Sequence, residues 1–253
     1  MANMDFIKLI IILFTGLAAG FINVNAGGGS FLTIPVLIFT GLPPAVANGT
    51  NRIALTFASM ISTHNFRKKG YFEWKLSLWF GIPMTIGAVI GSFISINLPD
   101  ELYTTILAVM IIMVITIVII NPQRFIKSNT IKISTKNRIL GTVIFFILGI
   151  YAGIVQAGVG FLMITSLIFL TGYSLVKINS LKVLIAMTYM LLTLAVFIFS
   201  GNINWIYALV LSVGNGTGAL IGTHFAVKHG DKWIRIIMII AALIMALKLL
   251  NVF

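Results

Sequence analysis

The chain has 253 residues, of which 59% are hydrophobic and 9% are charged. A soluble domain averages about 25% charged residues, so a water-facing fold of this composition would expose large apolar patches. The composition therefore excludes soluble enzymes and nucleic-acid-binding modules and indicates a protein of the lipid bilayer. The net charge of +12 comes from 17 Lys and Arg residues that lie mainly in loops between apolar runs, so it does not indicate a nucleic-acid partner.

Eight apolar runs each approach the roughly 20 residues that a membrane-spanning helix needs. They cover residues 6–26, 46–64, 74–97, 102–120, 138–157, 180–200, 204–227 and 233–251. Two further runs, 31–42 and 161–172, would extend only about 18 Å as helices, too short to cross the bilayer alone. The predicted fold class is an all-α polytopic membrane protein with eight spanning helices and two short segments that are broken or re-enter the membrane.

An internal repeat divides the chain into two homologous halves. An offset of 131 positions pairs Asn48 with Asn179, and residues 87–91 with 218–222. The predicted organisation is a first membrane repeat at 1–120, a basic linker at 121–137 and a second membrane repeat at 138–253.

The loops of the two repeats carry opposite charge character. The basic stretch 67–75 matches the uncharged stretch 201–204, and the acidic pair at 100 and 101 matches the basic stretch 228–235. Because cytoplasmic loops are enriched in Lys and Arg, this pattern predicts inverted-topology repeats of about five segments each in the cell membrane. Both chain ends are then outside the cell, and the linker 121–137 is cytoplasmic.

Two matched glycine-rich breaks are the first candidate substrate site. Glycines let a backbone leave the helix, and the helix that follows directs the positive end of its dipole at the same place, which suits an anion. Paired breaks in inverted repeats point to a site at the membrane midplane. The alternative is that the glycines only permit tight turns or close packing. The candidate residues are Asn23, Asn25, Gly27, Gly28, Gly29 and Ser30 in the first repeat, and Gln156, Gly158 and Gly160 in the second.

Matched polar clusters near the start of the third segment of each repeat are the second candidate. They comprise Asn48, Asn51 and Arg52 in the first repeat, and Asn179 and Lys182 in the second. A cation within a membrane helix is costly and predicts a functional role, with an anion or carbonyl groups as its partner. The alternatives are helix N-caps for the two matched asparagines, and side chains that reach the membrane surface for Arg52 and Lys182.

The remaining residues give little support for catalysis. No Asp or Glu lies inside a predicted span, the sequence has no Cys, and none of its three His has a carboxylate or second His at metal-ligand spacing. Short glycine spacings such as 87–91, 214–218 and 218–222 are interpreted as helix-packing contacts. The prediction is a protein that is not an enzyme, with no metal and no cofactor.

The residues at 19–20, the run GGGSFLTIP at 27–35, the run GLPPAVANGT at 41–50 and the run GAVIG at 87–91 resemble the sulfite exporter TauE/SafE family of membrane transporters. The resemblance covers nearly the whole chain and is weaker in the second repeat, where the glycine motif is less complete and 177–182 lacks prolines. It implies transport of small organic or sulfur-containing anions such as sulfite or sulfonates.

Together the residues and the resemblance predict a secondary transporter whose halves rock around a midplane anion site. The membrane potential, about 2.3 kcal/mol per charge per 100 mV, drives anions out of a cell that is negative inside, so export needs no coupling ion. The expected partners are a small anionic substrate and the lipid bilayer, with a homodimer left open. An anion channel and a non-transporting membrane scaffold are the alternatives.

Overall fold

A computed structural model of the chain describes residues 2–120 and 134–249. Within these ranges all regular secondary structure is helical and forms nine elements, which confirms the all-α prediction. Residues 121–133 of the predicted linker lie outside the described part of the chain. The helices are α1 Ala2–Asn25, α2 Ser30–Phe39, α3 Pro44–Lys68, α4 Trp74–Ser95, α5 Asp100–Ile120, α6 Thr135–Ile154, α7 Val159–Thr171, α8 Leu175–Phe199 and α9 Trp205–Leu249.

Helix α9 is interrupted at Gly230, whose φ of 69° and ψ of −166° are not helical. We call the part at 205–229 α9N and the part at 231–249 α9C, which correspond to the last two apolar runs of the sequence. Within the described ranges, five segments are long and apolar enough to span a membrane, whereas eight spans remain a prediction. The five are Phe6–Asn25, Trp74–Ser95, Thr135–Ile154, Leu175–Phe199 and Trp205–Ile234.

The two short runs form separate short helices, α2 with 10 residues and α7 with 13. Helix α2 ends before Gly41, whose φ is 104°, and α3 begins at Pro44, where the missing proline N–H costs no helical hydrogen bond. Helix α7 ends at Gly172 in the left-handed conformation that commonly terminates helices. Turn chemistry at their C-terminal ends therefore keeps both helices short.

Two close helix pairs join the two predicted repeats. In the parallel pair α1–α9N, a Cβ on Gly20 would lie 2.2 Å from the Asn215 carbonyl oxygen, so the backbones touch. In the parallel pair α4–α6, a Cβ on Gly87 would lie 2.2 Å from the Phe146 carbonyl oxygen, and one on Gly91 would lie 2.1 Å from the next turn of α6. These contacts confirm that the small-residue spacings serve close packing.

The remaining contacts arrange the helices into two bundles. Helices α1, α2, α3 and α9N pack together, and we call this group the α1 bundle. Helices α4, α6, α7 and α8 form the α6 bundle. The bundles meet along α3 and α8, which run antiparallel, because Gly49 near the start of α3 faces Phe197 near the end of α8, and Ser59 contacts Met190.

Several basic loops come together at one end of the molecule. Lys177 at the start of α8 forms an ion pair of 2.6 Å with Glu73, which precedes α4. The backbone N–H of Val176 donates to Asp231 at the α9 kink over 3.2 Å, and Arg138 lines one cleft together with Glu73. The α3–α4 turn and the starts of α6, α8 and α9C therefore lie on the same face.

We expect the α4–α6 contact to be intolerant of added volume. The substitution Gly87→Leu should lower the free energy of unfolding by about 1–3 kcal/mol or more, because the new side chain meets backbone that cannot rotate away. Thermal unfolding in detergent, followed by size-exclusion chromatography, measures this effect. Ile90→Leu, on the exposed face of the same helix, is the matched control. If both variants unfold like the wild type, the contact is not close.

Candidate functional site

The two glycine breaks meet inside the molecule. Gly27, with a φ of 83°, follows α1, and Gly160 lies at the start of α7. A Cβ on Gly27 would lie 2.2 Å from the carbonyl carbon of Gly160, so only glycines permit this approach. Two breaks that are 133 residues apart in the sequence thus form one buried feature.

Two helices begin at these breaks. Gly29 is the N-cap of α2 and Gly158, with a φ of 75°, is the N-cap of α7, and within the described part of the chain no side chain caps either helix start. The first N–H groups of a helix have no intrahelical partner and carry the positive end of its dipole. Two positive helix ends therefore converge on the paired breaks.

A small buried cavity of about 20 Å³ lies beside the breaks, with room for about one water molecule. Six of the residues proposed from the sequence line it, namely Asn23, Gly27, Ser30, Gln156, Gly160 and Lys182. The other eight proposed residues lie outside its lining, namely Asn25, Gly28, Gly29, Asn48, Asn51, Arg52, Gly158 and Asn179. The structure thus brings part of both candidate clusters to one cavity.

Lys182 reaches the cavity from α8 and is only 3% exposed. Its ammonium donates hydrogen bonds to the carbonyl oxygens of Asn23 and Val24, both at 2.7 Å, and to the Asn179 Oδ1 at 3.0 Å. The alternative in which this side chain extends to the membrane surface is therefore wrong. Its charge instead lies against the negative C-terminal end of α1.

Arg52 on α3 is completely buried, so the membrane-surface alternative is wrong for this residue too. Its Nη2 donates to the carbonyl oxygens of Ala152 and Gly153 at 2.8 and 2.6 Å, and its Nη1 donates to the Thr193 Oγ1 at 3.0 Å. The guanidinium also lies 4.5 Å from the centre of the Phe197 ring. Arg52 therefore neutralises the C-terminal end of α6 and does not reach the cavity.

The two matched asparagines are not helix N-caps, because each lies a full turn inside its helix. The Asn48 Nδ2 donates to the Ile154 carbonyl oxygen at 3.0 Å and to the Ser95 Oγ at 3.1 Å. The Asn179 Nδ2 donates to the Asn25 carbonyl oxygen at 3.2 Å. Each amide therefore caps the same helix end as the neighbouring cation.

The caps are exchanged between the two predicted repeats. Arg52 and Asn48 of the first repeat satisfy the end of α6, and Lys182 and Asn179 of the second repeat satisfy the end of α1. The last carbonyls of a helix lack intrahelical partners, and within a membrane no bulk water replaces them. This requirement explains why two cations and two amides are buried here.

Two of the proposed polar residues connect neighbouring helices and do not line the cavity. Asn51 bridges α3 to the start of α2, donating to the Ser30 Oγ at 3.2 Å and accepting from the Thr33 Oγ1 at 2.7 Å. The Asn25 amide faces α9N and donates to the Gly222 carbonyl oxygen at 3.3 Å. Asn51 thereby fixes the hydroxyl of Ser30 at the cavity wall.

Gln156 is the strained member of the cavity lining. Its φ of 64° is in the left-handed region that favours glycine. The residue is also almost completely buried. The Tyr189 hydroxyl interacts with this amide, but neither amide atom has a hydrogen bond of normal geometry among the described residues. Strain and unmet polar groups at a cavity wall are typical of a ligand-binding position.

The sequence did not mark Ser59 and Tyr189, which supply further polar atoms to the cavity. The repeat offset of 131 does pair lining positions with each other, Leu55 with Ala186 and Ser59 with Met190. Because Leu55 and Ser59 are four residues apart, they share a helix face. Following that face from Asn51 would have identified them. Over the described residues, no three His, Asp or Glu side chains lie close enough to share a metal ion.

Comparison with known proteins identifies relatives along nearly the whole chain. The sequence model described as Sulfite exporter TauE/SafE matches residues 12–249. A "Probable membrane transporter protein ORF9" of Sinorhizobium is 25% identical over 99% of this chain and 95% of its own length. A "Probable membrane transporter protein" of Haemophilus influenzae is 27% identical over 96% and 95%. A "Probable membrane transporter protein YfcA" of Escherichia coli K12 is 28% identical over 95% and 88%. No solved structure matches the chain.

The strain at Gln156 can be separated from the role of its amide. Gln156→Gly should raise the free energy of unfolding by about 1 kcal/mol, because glycine adopts a positive φ without steric cost. Gln156→Ala loses the same amide but keeps the strain, so it should not be stabilised. Thermal unfolding of the two variants in parallel makes the comparison, and equal melting temperatures would show that no strain is relieved.

Proposed function

Because the chain belongs to the Sulfite exporter TauE/SafE family, we propose that it is a secondary transporter that carries a small anion through the central cavity by alternating access. The observation that carries this proposal is the convergence of two uncapped helix starts and the Lys182 ammonium on one buried cavity within the described chain. The relatives are named as probable membrane transporters, which agrees with a transport function and not with catalysis.

The electrostatics of the cavity favour an anion. None of its described lining residues is Asp or Glu, whereas Lys182 brings a positive charge, and Ser30 and Gln156 bring groups that can donate hydrogen bonds. The positive ends of α2 and α7 add to this potential. The Lys182 ammonium already serves three acceptors. A bound anion therefore has to compete with the carbonyls of Asn23 and Val24 for this charge.

The size of the cavity favours a transport cycle over an open channel. A cavity of about 20 Å³ holds about one water molecule, so an anion of four or more heavy atoms enters only after the walls separate. A polar site that is too small for its ligand until the walls separate fits a cycle of alternating access. The lining also contains apolar residues such as Leu55, Val183 and Met190. We therefore propose sulfite, a short sulfonate or a related small anion as substrate.

We also propose the inverted-repeat topology with the basic face in the cytoplasm. The antiparallel contact of α3 with α8, which occupy matched places in the two repeats, supports the inversion. The gathering of basic loops at one end supports the cytoplasmic assignment of that end. The remaining proposals follow from these two: a position in the cell membrane, a cytoplasmic linker at 121–137 and both chain ends outside.

Transport of a panel of small anions into proteoliposomes tests the function. Sulfite, thiosulfate, short sulfonates and short carboxylates should include one whose flux saturates at low concentration. Lys182→Met should reduce that flux by about tenfold or more, since a hydrogen bond to a charged group contributes about 1.5–3 kcal/mol. Lys75→Met, which removes an exposed base, is the control and should leave the flux unchanged.

The result has clear alternatives. Because Lys182→Met leaves two buried carbonyls unpaired, Gln156→Ala provides a second cavity variant without that defect, and its apparent KM for the anion should rise. Flux that does not saturate would favour the channel. Folded protein with no flux for any anion would favour the non-transporting scaffold. Normal flux in both cavity variants would exclude this cavity as the site.

Single cysteines can test the topology, since the sequence contains no Cys. Ser200→Cys in the α8–α9 turn should react with impermeant maleimides from outside the cell, and His229→Cys at the α9 kink should react only after the membrane is opened. Both positions are exposed, so labelling requires no unfolding. The reverse pattern would contradict the proposed orientation.

A further inference from the structure

We infer that the two bodies that move during transport are the α1 bundle and the α6 bundle, and not the two sequence repeats. This inference rests on the proposed function, because it concerns how the same cavity opens. Its basis is a difference in chemistry between the contacts within each bundle and the contacts between them. Each bundle contains one helix from the other repeat, α9N in the α1 bundle and α4 in the α6 bundle.

The closest contacts within each bundle are made by backbone. In the α1 bundle, Gly20 lies against the Asn215 carbonyl and Gly218 against the Leu17 carbonyl, with distances of 2.2 and 2.1 Å from an ideal Cβ. In the α6 bundle, Gly153 lies against the Ala88 carbonyl at 2.3 Å in the same sense. Backbones interlocked in this way cannot slide by changing rotamers.

Aromatic contacts strengthen the same helix pairs. Phe80 of α4 stacks on Phe145 of α6 with 4.9 Å between ring centres and 15° between planes. Phe21 of α1 meets Phe225 of α9N edge to face, with 5.4 Å between ring centres. Each of these pairs joins the first repeat to the second. A rocking motion of repeat against repeat would have to break all of them at once.

Apart from the approach of Gly27 to Gly160 beside the cavity, the contacts between the bundles are made mainly by side chains. The cavity lies between α3 and α8, and the polar bonds that cross from bundle to bundle include the exchanged caps and the contact of Ser59 with Met190. Arg52 binds the end of α6 from the α1 bundle, and Lys182 binds the end of α1 from the α6 bundle. A side-chain hydrogen bond can move to another acceptor, including an anion, whereas an interlocked backbone cannot.

The two caps also lie on opposite sides of the cavity. Thr193, which accepts from Arg52, is 11 residues along α8 from Lys182, or roughly 16 Å at 1.5 Å per residue. The lining residues Ala186 and Met190 lie between them. Release of one cap opens the cavity toward one side while the other cap stays closed. An anion that takes the Lys182 ammonium from its two carbonyls would favour release on that side.

Two cysteine pairs separate the two mechanisms in this Cys-free chain. The pair Phe80→Cys/Phe145→Cys joins different repeats within the α6 bundle. The pair Asn48→Cys/Ser95→Cys joins the two bundles within the first repeat, at positions whose polar atoms are 3.1 Å apart. Anion flux in proteoliposomes is measured for each variant before cross-linking, after oxidation and after reduction.

Movement of the bundles predicts that cross-linking the first pair leaves the flux unchanged. Cross-linking the second pair should abolish the flux, and reduction should restore it. Movement of the repeats predicts the opposite pattern, and that pattern would overturn the inference. Two pairs that both block, or both permit, transport would overturn it as well. Absence of flux in the wild type would refute the proposed transport function itself. Normal flux in the wild type with the reversed cross-linking pattern would overturn only the inference about the moving bodies.

Spin labels give a second readout if the reduced Asn48→Cys/Ser95→Cys protein is inactive, since Asn48 is also a helix cap. Labels on the exposed positions Lys68, Leu78 and Ile139 report on α3, α4 and α6. Addition of sulfite, or of the anion transported by the wild type, should shift the 68–78 distance and leave the 78–139 distance unchanged. A shift confined to the 78–139 distance, or no shift in either, would overturn the inference.

Discussion

The arrangement of this molecule depends on one constraint, the need to satisfy the carbonyls of helices that end inside an apolar environment. Helices α1 and α6 both end at glycine-containing breaks that are buried in the protein. Bulk water does not reach such an end, so hydrogen-bond donors must come from the protein. Lys182 and Arg52 supply them together with positive charge, which also offsets the negative end of each helix dipole. The buried cations are therefore first a structural necessity. Their charge becomes available to a ligand only because Lys182 also faces a cavity.

This constraint accounts for the interlocked form of the two halves of the chain. Since the end of α6 is capped from α3 and the end of α1 is capped from α8, neither half of the chain contains all the groups that it needs. The glycine contacts of α1 with α9N and of α4 with α6 complete the exchange by joining backbones across the same division. The side-chain contacts between α3 and α8 are thereby left as the softer interface, and the cavity lies there. Stability and a route for motion thus occupy different surfaces of the same helices.

Much of this organisation could be predicted from the sequence, because the relevant signals are local or repeat at one offset. Composition indicated the membrane, run lengths separated the short helices α2 and α7 from the longer ones, and glycine spacings indicated packing. The partners of individual polar side chains could not be predicted. Asn48 was open to interpretation as an N-cap because no local signal indicates its true acceptor. That acceptor is the carbonyl of Ile154, which is 106 positions away. Arg52 lies near a helix start, and only the fold shows that this position is completely buried. Ser59 and Tyr189 carried no local signal, since hydroxyls on apolar helices become significant only where two helix faces enclose a space.

The exchange of caps also sets a requirement on how the chain is made. The Lys182 ammonium that caps Val24 is synthesised 158 residues after it. At a ribosomal rate of about 5–20 residues per second, this interval lasts roughly 8–30 s. During that time the end of α1 has neither its cation nor its amide, and the face that later receives α9N has no helix against it. Helix α1 therefore receives its caps only after α8 has been made. Its early placement depends on the insertion machinery or on water at the membrane surface to hold its unpaired carbonyls until the second repeat arrives.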